Sequence, residues 1–453
     1  MTALLDRPAR TVAEDLTLRR GAARVLFGNW TGTSTVPSRT LYPHQWSWDS
    51  AFIAIGLRHL SPRRAQRELE SLFAAQWGDG RVPHIVFNPS VPNDAYFPSP
   101  DFWRTSTAGS GAGAPRARET SGIVQPPVHA LAAWLTHRAD PRESRRRGFL
   151  DRLYPRLVAW HDYLLTARDL GGGLTAVVHP WEPGMDNSPC WDASLARITP
   201  ADPTGFRRAD LDHGHPADRP TDLDYGRYVQ LALDYRDAGY DDRTASHRFA
   251  LEDPGVNALL IAGERALAGI AAHLGEDATR HEARADRLTK ALVARLWDEE
   301  AGLFLARDLV DGALVRERSV AGLVPLLVPG LPEAVVDALV ATLDGPGFHA
   351  DSTTLVPSYD LTGPAFDRTR YWRGPAWFNT AWLIERGLRT HGRHTHADRI
   401  RAAILETAGT TGFAEYVDPT TGEGRGARAF SWTAALALDL LAREEAPEEE
   451  AHR

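Results

Sequence analysis

The chain has 453 residues, 43% of them hydrophobic, with a formal charge of −8 and a pI near 6.1. Its length suits one large or two medium domains, and its acidic balance argues against nucleic acid as a partner. A single cysteine, Cys190, excludes an internal disulfide and a cysteine-rich zinc site. No uncharged run approaches the ~18–20 residues that cross a bilayer, and residues 1–24 are too charged for a signal peptide. A cytoplasmic protein with no membrane partner is expected.

Residues 12–27 read as an amphipathic helix, with Val12, Leu16, Leu18, Ala22, Val25 and Leu26 near one face. An apolar helix over 51–60 ends at Ser61-Pro62, where another runs to about 77. Residues 78–113 form a long irregular excursion. Its aromatics (Phe87, Tyr96, Phe97, Phe102, Trp103) argue for order, whereas 106–117 reads as flexible. Helices resume at 122–138 and 142–168, followed by an irregular run at 179–189. Residues 194–219 are polar and turn-rich, in the manner of a lid. Thr221 caps a helix to about 239. Then come helices at 254–274 and 277–297, a hairpin at 302–315, and helices at 319–328 and 332–343. An irregular 347–372 precedes helices at 375–390, 397–407 and 430–443. The tail from 444 is acidic and expected to fray.

About a dozen helices with almost no strand signal make an all-α protein. Short connections make successive helices antiparallel. The longer connections recur at alternate junctions, 28–47, 78–121, 169–193, 298–318, 344–374 and 408–429, which would share one end of a helical toroid. No linker and no strict repeat is visible, so one toroidal domain over 1–453 is expected, with loop insertions at about 78–121 and 194–220.

The long connections carry rings and acids together. The first holds Tyr42, Trp46, Trp48 and Asp49; the second His84, Tyr96 and Trp103; the third Trp181, Glu182 and Asp186. The fifth holds Tyr371, Trp372, Arg373 and Trp377, and the sixth Glu415, Tyr416 and Asp418, then Ser431 and Trp432. Many of the 14 tryptophans lie in such irregular segments. Flat rings with one N–H donor suit sugar faces, although several will be core filler. A funnel of rings around carboxylates is what hydrolysis of a glycosidic bond needs. One protonated acid gives its proton to the leaving oxygen, and one carboxylate acts opposite it on water or on the sugar. Apolar surroundings keep the acid protonated near neutral pH.

The centre of this pattern is His179-Pro180-Trp181-Glu182-Pro183-Gly184-Met185-Asp186-Asn187-Ser188-Pro189. Its prolines break any helix, so Asp186 lies on a loop. From residue types alone, Asp186 is either a catalytic group or the N-cap of a following helix, and both readings stand. The 17 histidines show no His-Glu-x-x-His or similar ligand spacing.

The segment Tyr42-Pro43-His44-Gln45-Trp46-Ser47-Trp48-Asp49 resembles the N-terminal signature of the family 63 glycoside hydrolases. The likeness is best to the bacterial branch of glucosylglycerate and mannosylglycerate hydrolases. Trp181 to Pro189 resembles that family's general-acid loop, and Tyr371-Trp372-Arg373-Gly374-Pro375-Ala376-Trp377 its substrate-binding segment. Phe413-Ala414-Glu415-Tyr416, with Thr421-Gly422, resembles its general-base segment. The matches run in family order over about residues 25–440.

The resemblance implies an (α/α)6 barrel and inversion at the anomeric carbon. It assigns Asp186 as general acid and Glu415 as general base, with Asp49 holding sugar hydroxyls. Carboxyls of an inverting pair stand roughly 6.5–9.5 Å apart. The implied substrate is a small sugar–glycerate conjugate, glucosylglycerate first and mannosylglycerate second, with no metal or cofactor. The residues expected around sugar and aglycone are Tyr42, Trp46, Trp48, Asp49, His84, Tyr96, Gln125, Trp181, Gly184, Arg219, Tyr225, Tyr371, Trp372, Arg373 and Trp377.

Among these, Arg219 matches the glycerate-binding segment, although its sequence alone equally suits a surface Arg at a helix start. Arg373 either supports the sugar pocket or forms a structural ion pair. Asp418 and Glu423 read as solvated turn residues, and Asp192 as structural. Pro183 stands where Ser is common in the family, and Cys190 where Arg is; both bear on substrate choice. Cys190 has no base beside it to make it a nucleophile.

Three rivals remain at this stage. The first is an exo-glycosidase for a neutral disaccharide such as trehalose or isomaltose, the second a silent carbohydrate-binding protein, the third an α-toroid scaffold. Oligomeric state, including a homo-oligomer, and closure of 78–121 as a lid are left open.

Overall fold

The computed structural model describes residues 10–212, 215–349 and 355–443, so the tail expected to fray from 444 lies outside the described residues. Among the described residues, twelve helices have ten residues or more. They are α1 (Val12–Gly28), α2 (Ser47–Leu57), α3 (Pro62–Phe73), α4 (His129–Ala139), α5 (Phe149–Thr166) and α6 (Asp222–Asp237). The others are α7 (Pro254–Leu274), α8 (Thr279–Leu296), α9 (Glu333–Asp344), α10 (Phe378–Thr390), α11 (His394–Thr410) and α12 (Ser431–Ala442). Every strand is two residues long.

Packing closes a ring. Helix α2 packs on α4, α4 on α7, and α7 on the 3-10 turns at 320–327. Those turns pack on α10, α10 on α12, and α12 back on α2. Outside the ring, α1 lies on α12, α3 on α2 and α4, α5 on α4 and α7, α8 on α7, and α11 on α10 and α12. Setting aside α6, which joins neither layer, outer and inner segments alternate along the chain, with α9 between the 3-10 turns and α10, in the (α/α)6 manner. The long junctions therefore share one end.

The sequence dictates which helix goes where. Every residue of α2 is buried, and so is Ser431 to Leu441 of α12; helices apolar all round belong in a core. Helix α7 is long and apolar enough to cross a membrane by length and composition, and here it is an inner helix. Outer α8 buries only His281, Ala285, Leu288, Thr289, Leu292 and Leu296, one face at helical spacing. Close backbone approach binds the ring: a Cβ on Gly56 of α2 would come within 2.3 Å of Ala435 Cα in α12.

The differences from expectation have local causes. The helix expected from 122 begins only at His129, because Pro126 and Pro127 keep the preceding residues extended. The helix expected over 142–168 is two, Pro141–Arg147 and α5, parted by Gly148 at φ +56°. Residues 320–327 make 3-10 turns where a helix is expected over 319–328, with Pro325 unable to donate. The hairpin expected over 302–315 is present at 306–315, where Arg307 bridges Leu314 and the Val315 N–H donates to the Ala306 carbonyl at 2.8 Å; its flanks pair further, Leu303–Phe304 with Trp297–Asp298 and Arg307–Asp308 with Leu251–Glu252. Within the stretch read as flexible, Thr105–Ala108 is helical and Ser110–Ala112 a 3-10 turn. Gly78 and Asp79 N–H groups donate to the Gly113 and Ala112 carbonyls at 2.8 and 3.1 Å.

Candidate active site

The loop carrying Asp186 is pinned from several sides. His179 bonds the Tyr228 carbonyl at 2.9 Å through Nε2, and its Nδ1 accepts the Trp181 N–H at 3.1 Å. The Tyr228 hydroxyl donates to the Asp186 carbonyl at 2.8 Å, and Trp191 Nε1–H to the Met185 carbonyl at 2.7 Å. Gly184 has φ +73°, and a Cβ there would sit 2.4 Å from the Trp48 ring. The loop's shape and its contact with Trp48 thus both require glycine. Asp186 caps no helix; Ser188 caps the 3-10 turn Pro189–Trp191 instead, its Oγ accepting the Cys190 N–H at 3.4 Å.

Glu182, the other acid of this loop, is fully buried. It accepts two Arg168 N–H groups at 2.7 and 2.9 Å, the Val178 N–H at 2.7 Å and the Val124 N–H at 3.3 Å. It has no lone pair to spare for chemistry and holds the loop in place.

Glu415 sits across the pocket on the 411–430 connection. Its Oε1 accepts the Tyr42 hydroxyl at 2.9 Å and the Tyr371 hydroxyl at 3.4 Å; its Oε2 accepts the Ala427 N–H at 2.8 Å. Gly426 makes that last bond possible, since a Cβ there would lie 2.4 Å from Oε2. Arg219 Nη2 donates to the Tyr42 oxygen at 2.9 Å, and its guanidinium lies 4.6 Å from the Tyr371 ring centre. Tyr371 adopts φ +47°, a strained conformation for a bulky residue at a functional site.

The two acids differ in what faces them. Burial pushes the Asp186 carboxyl up to about 7; Arg219 opposes the rise, and Glu415 and Asp210 add to it. Its side chain is only partly exposed, and that exposure opens on the pocket. Burial raises Glu415 as well, but Arg219, the Ala427 N–H, Tyr42 and Tyr371 all pull it back. Asp186 is thus suited to give a proton and Glu415 to receive one. Burial, then Glu415, raises Asp49 well above the usual carboxylate range. Burial, then His179, pushes His84 down to about 3, so its ring is neutral.

These groups line one pocket, with about 720 Å³ of empty space when the solvent at its open mouth is included. Around it stand Tyr42, Trp46, Trp48, Asp49, His84, Tyr96 and Gln125. Trp181, Gly184, Asp186, Arg219, Tyr225, Tyr371, Trp372, Trp377 and Glu415 complete the expected set. Trp372 and Trp377 stack at 3.9 Å, and Trp48 meets Trp432 edge-on at 5.3 Å. Among the described residues no cluster of three or more His, Cys, Asp or Glu is placed to hold a metal.

A family profile described as the mannosylglycerate hydrolase MGH1-like glycoside hydrolase domain matches residues 42–433. The chain belongs to this family of glycoside hydrolases. A mannosylglycerate hydrolase of Rubrobacter radiotolerans is 44% identical, over 96% of this chain and 99% of its own. A glucosylglycerate hydrolase of Mycolicibacterium hassiacum is 40% identical, over 93% and 96%. A crystal structure of the GH63 mannosylglycerate hydrolase from Thermus thermophilus, in complex with Tris and D-glycerate, superposes with a TM-score of 0.85 at 40% identity, covering 93% of this chain and 99% of that one.

One expected residue of this glycoside hydrolase lies elsewhere. Arg373 does not line the pocket: its guanidinium forms a bidentate pair with Asp192 at 2.8 and 2.7 Å and reaches the Asn187 carbonyl at 3.3 Å. It is a structural ion pair that ties the acid loop to the 371–377 segment, alongside the Trp372 N–H to Asn187 Oδ1 bond at 2.8 Å. Trp103 is core, beneath Phe102 and Tyr240. Asp418 is buried and not solvated; it closes its own turn by accepting the Thr420 N–H at 2.9 Å. Pro183 is buried and Cys190 is buried beside the Glu317 carbonyl, and neither lines the pocket.

Pro37, Asp210, Pro220 and Phe430 line the pocket without having been placed there from sequence; Trp432, gathered with the rings of the sixth connection but not named as a sugar contact, lines it too. Trp432 had a signal, since it follows the general-base connection. Asp210 had none, because it lies in a polar run whose acids all read alike.

Proposed function

We propose that this glycoside hydrolase cleaves a small α-glycoside of glycerate with inversion, glucosylglycerate first and mannosylglycerate second. Asp186 protonates the glycosidic oxygen as the sugar–aglycone bond breaks. Glu415, aimed by Tyr42, Tyr371 and Ala427, removes a proton from the water that attacks the opposite face. The stacked rings hold the sugar, and Asp49 bonds its hydroxyls.

The observation that carries the aglycone is Arg219. Among the described lining residues it is the one cation, in a pocket otherwise rich in carboxyls. A guanidinium there suits a substrate that brings its own carboxylate. The names of the relatives, hydrolases of mannosylglycerate and glucosylglycerate, support the same choice.

The test is kcat/KM of wild type and Arg219→Ala on α-glucosylglycerate, trehalose and isomaltose. Arg219 also donates to Tyr42, so its loss slows every substrate. The discriminating quantity is the ratio between substrates. A glycerate-specific loss of about 10- to 100-fold, beyond any loss on a neutral sugar, is expected for a charge-assisted bond of about 1.5–3 kcal/mol. Wild type that cleaves trehalose or isomaltose and spares glucosylglycerate would discard the glycerate reading.

A further inference from the structure

Asp210 is a pocket carboxylate that the reaction above leaves without a task. It sits in the 3-10 turn Ala209–Leu211 of the excursion between α5 and α6, and is nearly buried. Arg208 holds it through Nε at 3.2 Å and Nη2 at 2.7 Å. Arg208 is fixed in turn by the Pro220 carbonyl at 2.8 Å and Asp222 at 3.0 Å, and lies 4.3 Å over the Tyr225 ring. The carboxylate is therefore oriented before any ligand arrives. Two oxygens offer about four acceptor sites, and Arg208 takes two of them.

The hydrogen-bond inventory on that side of the pocket is lopsided. Gln125 Oε1 accepts the Trp48 N–H at 3.2 Å and keeps at most one neutral lone pair, while its amide N–H groups can only donate. The Tyr225 hydroxyl proton is spent on the Phe97 carbonyl at 3.0 Å, which leaves its oxygen as a neutral, weaker acceptor. Arg219 can only donate. A ligand hydroxyl that must itself donate has one carboxylate acceptor there outside the acid–base pair and Asp49. That acceptor is Asp210.

We propose that Asp210 is a specificity residue that accepts a hydrogen bond from the free C3 hydroxyl of a 2-O-glycosylglycerate while Arg219 takes its carboxylate. This rests on the glycerate reading above and refines it: the pocket would recognise a hydroxy-acid carrying a further hydroxyl, and not any small acid. A site built to pair a hydroxyl discriminates strongly against an analogue that lacks it, because its buried acceptor is left unpaired.

The experiment measures kcat/KM on 2-O-α-glucosylglycerate and on 2-O-α-glucosyl-lactate, in which hydrogen replaces the C3 hydroxyl. Wild type, Asp210→Ala and Asp210→Asn are compared, with the melting temperature of each as a check on folding. Wild type is expected to prefer the glycerate substrate by about 10- to 100-fold. Asp210 also adds to the proton affinity of Asp186, so its loss can slow both substrates alike; Asp210→Ala should bring the ratio itself to about one, and Asp210→Asn should fall between. Equal wild-type rates on the two substrates, or a ratio unchanged in Asp210→Ala, would overturn the role of Asp210 while leaving the glycerate reading intact. Wild type inactive on both, with a neutral disaccharide cleaved, would overturn both. The wild-type comparison decides even where a variant fails to fold.

Discussion

Two groups of buried charge lie one behind the other in this molecule, and they are built on opposite rules. Behind the acid loop, Arg168 meets Glu182 at 2.7 Å and Asp242 at 2.8 Å. Asp242 also accepts the Tyr163 and Tyr235 hydroxyls at 2.7 Å each, and Arg81 meets Asp79 at 2.7 Å. Every carboxylate there is paired with a guanidinium. In the pocket in front, Arg219 is the one cation among the described lining residues and acts on Asp186 and Glu415 but not on Asp49, and burial raises the proton affinity of all three acids. Matched charges fix geometry, and unmatched ones store the proton that the chemistry spends. The contrast explains why Glu182 and Asp186, four residues apart on one loop, have different fates.

The contrast can be broken from either side. The largest effect should come from the unmatched side: Asp186→Asn and Glu415→Gln should each lower kcat by about 10²–10⁴-fold, with the fold intact by circular dichroism. On the matched side, Arg168→Met should leave Glu182 and Asp242 buried without their partner. A loss of about 3–5 kcal/mol in urea unfolding is expected, far more than for either pocket variant. Tyr42→Phe removes one donor to Glu415 and should lower kcat/KM by about tenfold, with the acidic limb of the pH–rate profile moving up.

Smaller effects follow from protonation. Activity should fall as pH rises through about 7, where Asp186 loses its proton, and fall at low pH as Glu415, raised above its usual range, gains one. Stability has a related sign. Folded Asp186 binds its proton up to about 7 against 3.8 for the ordinary group, so the folded state loses stability as pH rises across that window. Asp186→Asn removes the penalty and should raise the melting temperature by a few degrees at pH 8 and by less at pH 5.

Much of this was legible in sequence because helix periodicity and loop length are local signals. Alternation of long and short connections foretold one loop-bearing end, and five of the six long junctions carried the rings and acids. The fourth, 298–318, holds acids and Phe304 but no Trp or Tyr, and it contributes no residue to the pocket. What sequence could not show was pairing at a distance. Arg373 reads equally as a sugar-pocket residue and as half of an ion pair until Asp192 is seen against it, and Asp418 reads as solvated until its turn folds over it. Asp210 becomes distinctive only once Arg208 and Tyr225 orient it. Gln125 was placed from family resemblance, and its geometry depends on Pro126 and Pro127 delaying α4.

The measurement that bears most directly on the acid–base assignment is proton NMR of the anomeric signals during the first minutes of α-glucosylglycerate hydrolysis. β-Glucose should appear first and equilibrate to the α form, as direct attack by water opposite Asp186 requires. α-Glucose appearing first would mean a covalent intermediate and retention, and would contradict the roles given to Asp186 and Glu415.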